Sequence, residues 1–469
     1  MFLNIDKHNP NSISAIYEDT ELTYGELVEA SRQMSFSLRG RTLVFALCEN
    51  VIGSLVGYVS FLSNDVVPLL LDSEIPMELI DALISKYNPS FIWTPDRHSF
   101  KNFSKIYSAF GYTLYNTKLD PFPLNEKLAL LATTSGSTGS PKLVRQSYAN
   151  IMSNAMNISE YLGLNSSERP ITTLPMQYVY GTSVINSHLF SGAAILLTTK
   201  GILQKEFWDF FKERKATSIA GVPYTYEMLK KLRFTTMQLP SLKTMTQSGG
   251  KLDPGLHRFF AEYAGNSGKH FVAMYGAAEA TSRMSYLPPE NSQGKYGSIG
   301  IAIPNGRFEL VDESGNVLLD PNTMGELVYY GDNVTLGYAE CGEDLAKGDE
   351  RFGRLETGDY ATCDEDGFYT IVGRKARFLK IFGNRVSLDE TELLIKSSFP
   401  NLECACAGVD DKMYIFITDQ AFEESILQHI TRLTSLHPLA FTIKIVDEIP
   451  KNTAGKTLYS KLEEHYENS

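Results

Sequence analysis

Apolar positions along this chain gather in short, nearly unbroken runs separated by longer amphipathic stretches. TLVFALCE (42–49), FIWTP (91–95), AAILLTT (193–199) and SIAGVP (218–223) lack the alternation of a half-exposed strand and predict strands buried on both faces. QKEFWDFFKERK (204–215) and PYTYEMLKKLRF (223–234) place their apolar residues at helical spacing. Strands alternating with helices predict a layered α/β architecture. The longest apolar run, VIGSLVGYVSFLSNDVVPLLL (51–71), has the length of a membrane span but contains Asn64 and Asp65. An Asp at mid-membrane costs about 2.5–3.5 kcal/mol. The run instead predicts a buried helix, a turn at Ser63-Asn64-Asp65 and a buried strand ending near Asp72, with no membrane span.

From about residue 296 the pattern changes. YGSIGIAIPNGRFELVDESGNVLLDPNTMGELVYYGDNVTLGY is rich in β-branched residues, Gly and Asn, and predicts hairpins in a small β subdomain over about 296–373. DEDGFYTIVGRK (364–375) predicts a hairpin turning at Asp366-Gly367. Beyond Lys375 the helical period returns, and VSLDETELLIKSSFP (386–400) reads as an amphipathic helix. A boundary within 373–377 separates a large part, 1–373, from a small α+β part, 374–469. No internal repeat or low-complexity tract interrupts this organisation.

At 469 residues the chain exceeds one hydrophobic core, so two to four domains are expected. A net charge of -12 argues against a nucleic-acid partner and suits a cytoplasmic protein. The five cysteines, Cys48, Cys341, Cys363, Cys404 and Cys406, are an odd number for a disulfide framework and fit no zinc spacing. They are expected to be reduced packing residues, with Cys404 and Cys406 on one side of a strand. MFLNIDKHNPN at the start has neither the basic nor the apolar region of a signal peptide, so none is expected.

Candidate chemistry begins at TTSGSTGSPK (133–142), a hydroxyl-rich, Gly-containing loop that follows the apolar run LALLA and ends in a cation. By composition it is either a polyphosphate cradle or a flexible surface loop. It is not a Walker A loop, because Pro141 lies between Gly139 and Lys142 and no Ser or Thr follows the lysine. Further along come YGAAEA (275–280), GELVYYGDNVTLGY (325–338), ETGDYATCDEDGFYTIVGRKARFLKIFGNRVSLDETE (356–392) and PKNTAGK (450–456). In this order the five motifs resemble the signature of the acyl-adenylate-forming, AMP-binding superfamily. Acyl-CoA synthetases, carrier-loading adenylation domains and luciferases belong to it. The likeness runs from LTYGEL at residue 22 to residue 460.

The resemblance implies a large N-terminal domain of two α/β layers with a β subdomain, and a small mobile C-terminal domain. It implies ATP-dependent activation of a carboxylic acid to acyl-AMP, followed by transfer to a thiol, either CoA or the phosphopantetheine of a carrier protein. By this likeness Thr134, Ser135, Gly136, Ser137, Thr138, Gly139 and Lys142 hold phosphates, and Tyr275 and Gly276 border the adenine, on which the Tyr275 ring stacks. Glu279 is the Mg2+ ligand, suited as a hard oxygen donor. Asp359 grips the ribose hydroxyls and Arg374 adds a ribose or phosphate contact. Gly249 and Gly250 border adenine and acyl group, and Tyr178 and Gly181 fall in the acyl pocket. Lys456 bridges carboxylate and α-phosphate, Ala376 is the hinge, and Gly383 faces the site during thiol transfer.

Four departures accompany the likeness. Ala278 stands where the family usually has Thr, with Thr281 a candidate substitute. Ala376 replaces a polar hinge residue, Tyr459 replaces an Arg, and Tyr178 replaces the His of a PLFHxxG-like motif in PMQYVYG (175–181). Tyr180-Gly181 occupies the place of the Phe-Asp pair that holds an α-amino group, which argues against an amino-acid substrate. An acyl-CoA ligase is the first expectation and a stand-alone carrier-loading enzyme the second. A non-catalytic nucleotide-binding protein, motivated by Ala278, Ala376 and Tyr459, is the alternative of another class.

Overall fold

The computed structural model describes residues 1–38, 40–133, 142–381, 384–400, 402–434, 436–451 and 457–464. Runs without a polar face become inner strands. Leu43–Cys48 and Val67–Asp72 pair in parallel along their full length. The helix Ile52–Ser63 joins them and is buried from Ile52 to Leu62. The segment 51–71 is thus the helix, turn and strand that its polar pair demands, and the Asn64 side chain satisfies the turn by donating to the Ser31 and Ser60 carbonyls. Alternation along the strand divides its side chains between two cores. Leu43, Phe45 and Leu47 pack with Ile80, Leu83 and Tyr87 of the helix Met77–Tyr87, while Val44, Ala46 and Cys48 face the opposite cluster.

Contacts divide the chain into two units: Met1–Phe308 with Tyr329–Leu355, and Glu309–Val328 with Glu356–Ser469. The described residues of the first unit form two large sheets. One runs in the order Ile301–Ala302, Arg283–Tyr286, His270–Gly276, Thr244–Gln247, Ser218–Gly221, Pro170–Ile171, Ile195–Leu197, Ile13–Tyr17, Thr20–Thr23. Its inner pairs are parallel, while its first three strands pair antiparallel. The other sheet runs Gly337–Ala339, Leu143–Ser147, Leu128–Thr133, Val67–Asp72, Leu43–Cys48, Phe91–Pro95, Tyr112–Asn116, Ser104–Ala109. A single core draws on both sheets and on the helices between them, uniting Ala15 and Ile195 with Val44 and Leu130 through Ile151 and Ile185.

One of those helices, Val179–Phe190, is buried from Tyr180 to Leu189. A helix with no solvent face must satisfy its polar side chains internally. The Ser183 and Ser187 hydroxyls donate to the Tyr180 and Ser183 carbonyls at 2.7 and 2.8 Å, and the Asn186 Oδ1 accepts from the Tyr58 hydroxyl at 2.9 Å.

The second unit contains the predicted hairpin: Asp359 to Cys363 pairs antiparallel with Tyr369–Arg374, and Gly367 takes φ 84° at the turn. Farther along, Cys404–Val409 pairs antiparallel with Lys412–Ile417, which pairs in parallel with Phe441–Ile445. Cys404 and Cys406 face one core with Ile395, Ile426 and Ile430 of the helices Leu388–Ser398 and Glu423–Thr434. Ala405 and Ala407 face the other side, toward Leu462. All five cysteines are free, Cys48, Cys404 and Cys406 buried and Cys341 and Cys363 only half-buried, and among the described residues no helix is long and apolar enough to cross a membrane. The chain therefore consists of a large N-terminal α/β part followed by a smaller C-terminal α+β part.

Candidate active site

Within the first unit, several residues singled out from sequence meet around the edge of the nine-stranded sheet. Tyr275 and Gly276 end the strand His270–Gly276, and Glu279 lies in the short 3-10 turn Ala278–Ala280 that follows. Gly276 is required by packing, since a Cβ there would overlap the Ser282 carbonyl oxygen. The strand returns as Arg283–Tyr286, with Gly276 opposite Arg283 and Tyr275 opposite Ser285.

The Glu279 carboxylate is held from the other sheet. Its Oε1 accepts from the Tyr338 hydroxyl at 2.6 Å, and its backbone carbonyl accepts from the Thr335 N–H and hydroxyl, each at 2.9 Å. Burial, reinforced by the Glu279 charge, pushes the Tyr338 phenol up to about 12, so it remains a donor across the physiological range. The Arg351 guanidinium lies 4.5 Å from the centre of the Tyr338 ring. Lys142 Nζ is 5.8 Å from the same ring and pairs with Glu340 at 2.7 Å. Both ends of that pair are more than half exposed, at 56% and 59%, so it contributes little stability. Tyr338 thus joins Lys142 and Glu279, 137 positions apart in sequence, through one side chain.

The rest of the phosphate-loop assignment, Thr134 to Gly139, lies outside the described residues. The strands that flank the loop, Leu128–Thr133 and Leu143–Ser147, pair antiparallel with Thr133 opposite Leu143.

Tyr178 and Gly249 also come together. Gly249 follows the strand Thr244–Gln247 with φ 85°, and a Cβ there would lie 2.7 Å from the Tyr178 hydroxyl. A left-handed backbone and a neighbour that close both call for glycine. Next to it, the Gly250 carbonyl accepts from the Gln247 Nε2 at 3.0 Å. Tyr178 caps the helix Val179–Phe190 and packs edge-on against Tyr180 at 6.5 Å. Gly181 lies in the first turn of that helix, against the Pro175 carbonyl.

Thr281, the candidate substitute for the family's threonine, is turned to a backbone carbonyl. Its hydroxyl donates to the Asn333 carbonyl at 2.7 Å, and the residue is buried with φ 63°. A β-branched residue in that region stores strain of about 1–3 kcal/mol, here beside Glu279.

In the second unit the two expected ribose contacts are cross-strand partners. Asp359 is opposite Arg374, and its buried Oδ1 accepts from the exposed guanidinium Nε at 2.8 Å. Ala376 lies in the 3-10 turn Lys375–Arg377. Lys456 and Gly383 lie outside the described residues. The segment carrying Lys456 is bracketed by an antiparallel bridge between Lys451 and Thr457.

Sequence reasoning missed a network in this unit. The Arg377 guanidinium sits 3.6 Å from the Tyr459 ring centre, donates to Glu392 Oε1 at 2.6 Å and the Cys406 carbonyl at 3.1 Å, and also bonds Asp389. Glu392 in turn accepts from the Tyr459 hydroxyl at 3.1 Å and the Cys406 N–H at 2.7 Å. Burial and the Glu392 charge push the Tyr459 phenol up. Where the resemblance suggests an arginine at 459, a tyrosine stands, with the Arg377 guanidinium over its ring. No local pattern links positions 82 residues apart, although an arginine beside a proposed hinge was a visible signal.

For Mg2+, the donor set is consistent. Among the described residues no cluster of three or more His, Cys, Asp or Glu could build a protein cage. One carboxylate, with phosphate oxygens and waters completing the shell, is the arrangement Mg2+ favours.

A family described as AMP-binding enzyme matches residues 4–339. Oxalate–CoA ligase of Arabidopsis thaliana is 27% identical over 352 residues, covering 72% of this chain and 67% of that protein. Its counterpart in Saccharomyces cerevisiae is 26% identical over 355 residues, covering 72% and 63%. The chain thus spans about two thirds of the length of these two relatives. The 2-succinylbenzoate–CoA ligase of Bacillus subtilis is 23% identical over 475 residues, covering 97% of this chain and 95% of that one. Among solved structures, O-succinylbenzoate coenzyme A synthetase from Bacillus subtilis in complex with AMP superposes with a TM-score of 0.80 at 21% identity, covering 98% and 97%. ATP-bound MatB from Rhodopseudomonas palustris gives 0.78 at 21%, covering 100% and 99%.

Proposed function

Because the chain belongs to the AMP-binding enzyme family, we propose that it is an ATP-dependent acid–thiol ligase. A carboxylate oxygen attacks the α-phosphorus of ATP, and the bond to the bridging oxygen of pyrophosphate breaks, leaving acyl-AMP. A thiol sulfur then attacks the acyl carbon, AMP departs with the bonding electrons, and the thiol proton passes to solvent. CoA is the first choice of thiol, since the relatives are named as CoA ligases. A carrier-protein phosphopantetheine is the alternative.

The observation that carries this reading is the Lys142–Tyr338–Glu279 constellation, which gathers a cation and an oriented carboxylate. Phosphoryl transfer asks chiefly for positioning and charge stabilisation. Lys142, with Thr134, Ser135, Gly136, Ser137, Thr138 and Gly139, counters the departing pyrophosphate. Glu279 holds Mg2+, which when bound neutralises charge on the phosphate oxygens. Tyr275 and Gly276 border the adenine, and Asp359 and Arg374 take the ribose side. Tyr178, Gly181, Gly249 and Gly250 border the acyl group. Lys456 offsets charge where carboxylate and α-phosphate meet, carried by a mobile part, 374–469, that turns about Ala376. With ATP and CoA as substrates, the cytoplasm is the natural location.

Exchange of pyrophosphate into ATP, and hydroxamate trapping of the acyl group, test the reading over short, aliphatic and aryl acids. Lys456→Ala should lower acyl-AMP formation by about 100-fold or more. ATP binding with no exchange for any acid would favour the non-catalytic nucleotide binder, for which Ala278 and the committed Thr281 hydroxyl speak.

A further inference from the structure

The buried Arg145 and the half-buried Arg377 are both ion-paired. Arg145 has Glu350 at 2.5 Å and Arg377 has Glu392 at 2.6 Å. Arg283 is 1% exposed, and among the described residues no carboxylate pairs with it. Its neighbours are neutral. Nε donates to the Ser183 hydroxyl at 3.2 Å, and Nη1 to the Tyr161 hydroxyl at 3.1 Å and the Met274 sulfur at 3.3 Å. The Tyr180 ring centre is 5.0 Å from the guanidinium carbon. Nη2 donates to none of the described residues. Removing a guanidinium from water without a counter-charge is strongly unfavourable, and hydroxyls and a ring face offset only part of that.

The position of this cation gives it a use. Its Cα is opposite Gly276, and Glu279 lies in the connection between them. The helix that supplies Ser183 and Tyr180 begins after Tyr178, whose hydroxyl meets Gly249. Arg283 is therefore framed by the residues assigned to the nucleotide edge and the acyl group. Tyr180, Tyr161 and Met274 belong to an apolar cluster that also holds Val184 and Val222, Tyr161 stacks on Tyr286 at 4.2 Å, and the buried imidazole of His188 is close enough to feel the guanidinium charge.

We infer that the acid activated by this chain carries a second carboxylate, and that Arg283 is the counter-charge for it. The inference rests on the acid-activation reading above. A dicarboxylic acid presents one carboxylate to ATP while the other meets the guanidinium fork, which matches a planar carboxylate in two parallel hydrogen bonds. A monocarboxylic acid of the same length leaves the cation unpaired, so it is rejected.

Exchange assays with length-matched pairs decide the matter: succinic against butyric acid, adipic against hexanoic, phthalic against benzoic. In at least one pair the diacid should be favoured by about 100-fold or more in kcat/KM. Arg283→Leu, shown to be folded by thermal unfolding with ATP, should reduce that preference below about tenfold by raising KM for the diacid while the monoacid is unchanged or improved. Should the leucine variant fail to fold, Arg283→Lys, which keeps the charge but not the fork, should show a reduced preference. Monoacids used at least as well as diacids by the unaltered protein, or equal loss for both in a folded variant, would overturn the inference and leave acid activation standing. Exchange with no acid would instead overturn acid activation. Diacid binding is then read directly as protection against thermal unfolding, and absence of protection that depends on Arg283 sinks the inference as well.

Discussion

The Tyr338 hydroxyl holds the Glu279 carboxylate, as an outer-shell residue would hold the metal ligand proposed here. Tyr338→Phe keeps the ring that Lys142 and Arg351 approach and removes only the 2.6 Å hydrogen bond. The Mg2+ concentration for half-maximal exchange should rise about tenfold or more, as for other lost outer-shell partners. An unchanged requirement would mean that the hydroxyl does not set the carboxylate. Glu279 itself was legible in YGAAEA, yet its holder was not, because Tyr338 stood inside a quoted motif with nothing to tell its hydroxyl from that of Tyr329 or Tyr330. Arg283 was likewise passed over: a single charge in TSRMSYLP reads as the exposed face of an edge strand, and only the sheet register brings it inward.

Among the elements, the C-terminal part depends on one polar knot. Arg377 ends the 3-10 turn Lys375–Arg377, Glu392 sits on the helix Leu388–Ser398, Cys406 on the edge strand Cys404–Val409 and Tyr459 at the start of the last helix, so four elements share one guanidinium. Arg377→Ala leaves Glu392 buried without its cation and should destabilise this part by about 3–5 kcal/mol. Tyr459→Phe loses one hydrogen bond and should cost about 1 kcal/mol. Unfolding with urea, followed by proteolysis of the C-terminal part, checks the difference, and equal effects would mean that the arginine is not the organiser. Periodicity sufficed for Leu43–Cys48 or Lys205–Glu213, because their burial is one-sided or complete over whole turns. It gave no warning of Pro170–Ile171, a two-residue strand whose place is defined only by its neighbours Ile195–Leu197 and Ser218–Gly221. Nor did it find the hairpin of Ser104–Ala109 with Tyr112–Asn116, whose outer strand is largely exposed.

Across the molecule, two buried imidazoles should cost stability in acid. His188 and His257 are buried, each with an unbonded Nε2, and burial lowers both from 6.5 to about 4. Above 6.5 their contribution is fully present. Below it the unfolded chain takes up protons that the folded chain refuses, and the loss runs until about pH 4, up to about 3 kcal/mol for each. Thermal unfolding between pH 7 and 4 should show this slope, and His257→Gln, which keeps an acceptor for the Gly297 N–H, should remove about half of it. A slope indifferent to that substitution would place the acid limit elsewhere. The strand pair Gly276–Arg283 bears on how such a protein can diversify. The six-residue connection from Ala277 to Ser282 carries Glu279, and its ends are pressed together where a Cβ on Gly276 would strike the Ser282 carbonyl. Because side chains alternate, an insertion or deletion of one residue there would turn Arg283 away from the helix that receives it. A lineage built on this connection must explore new acids by point replacement at position 283 and along the face of Val179–Phe190, with the length of the loop held constant.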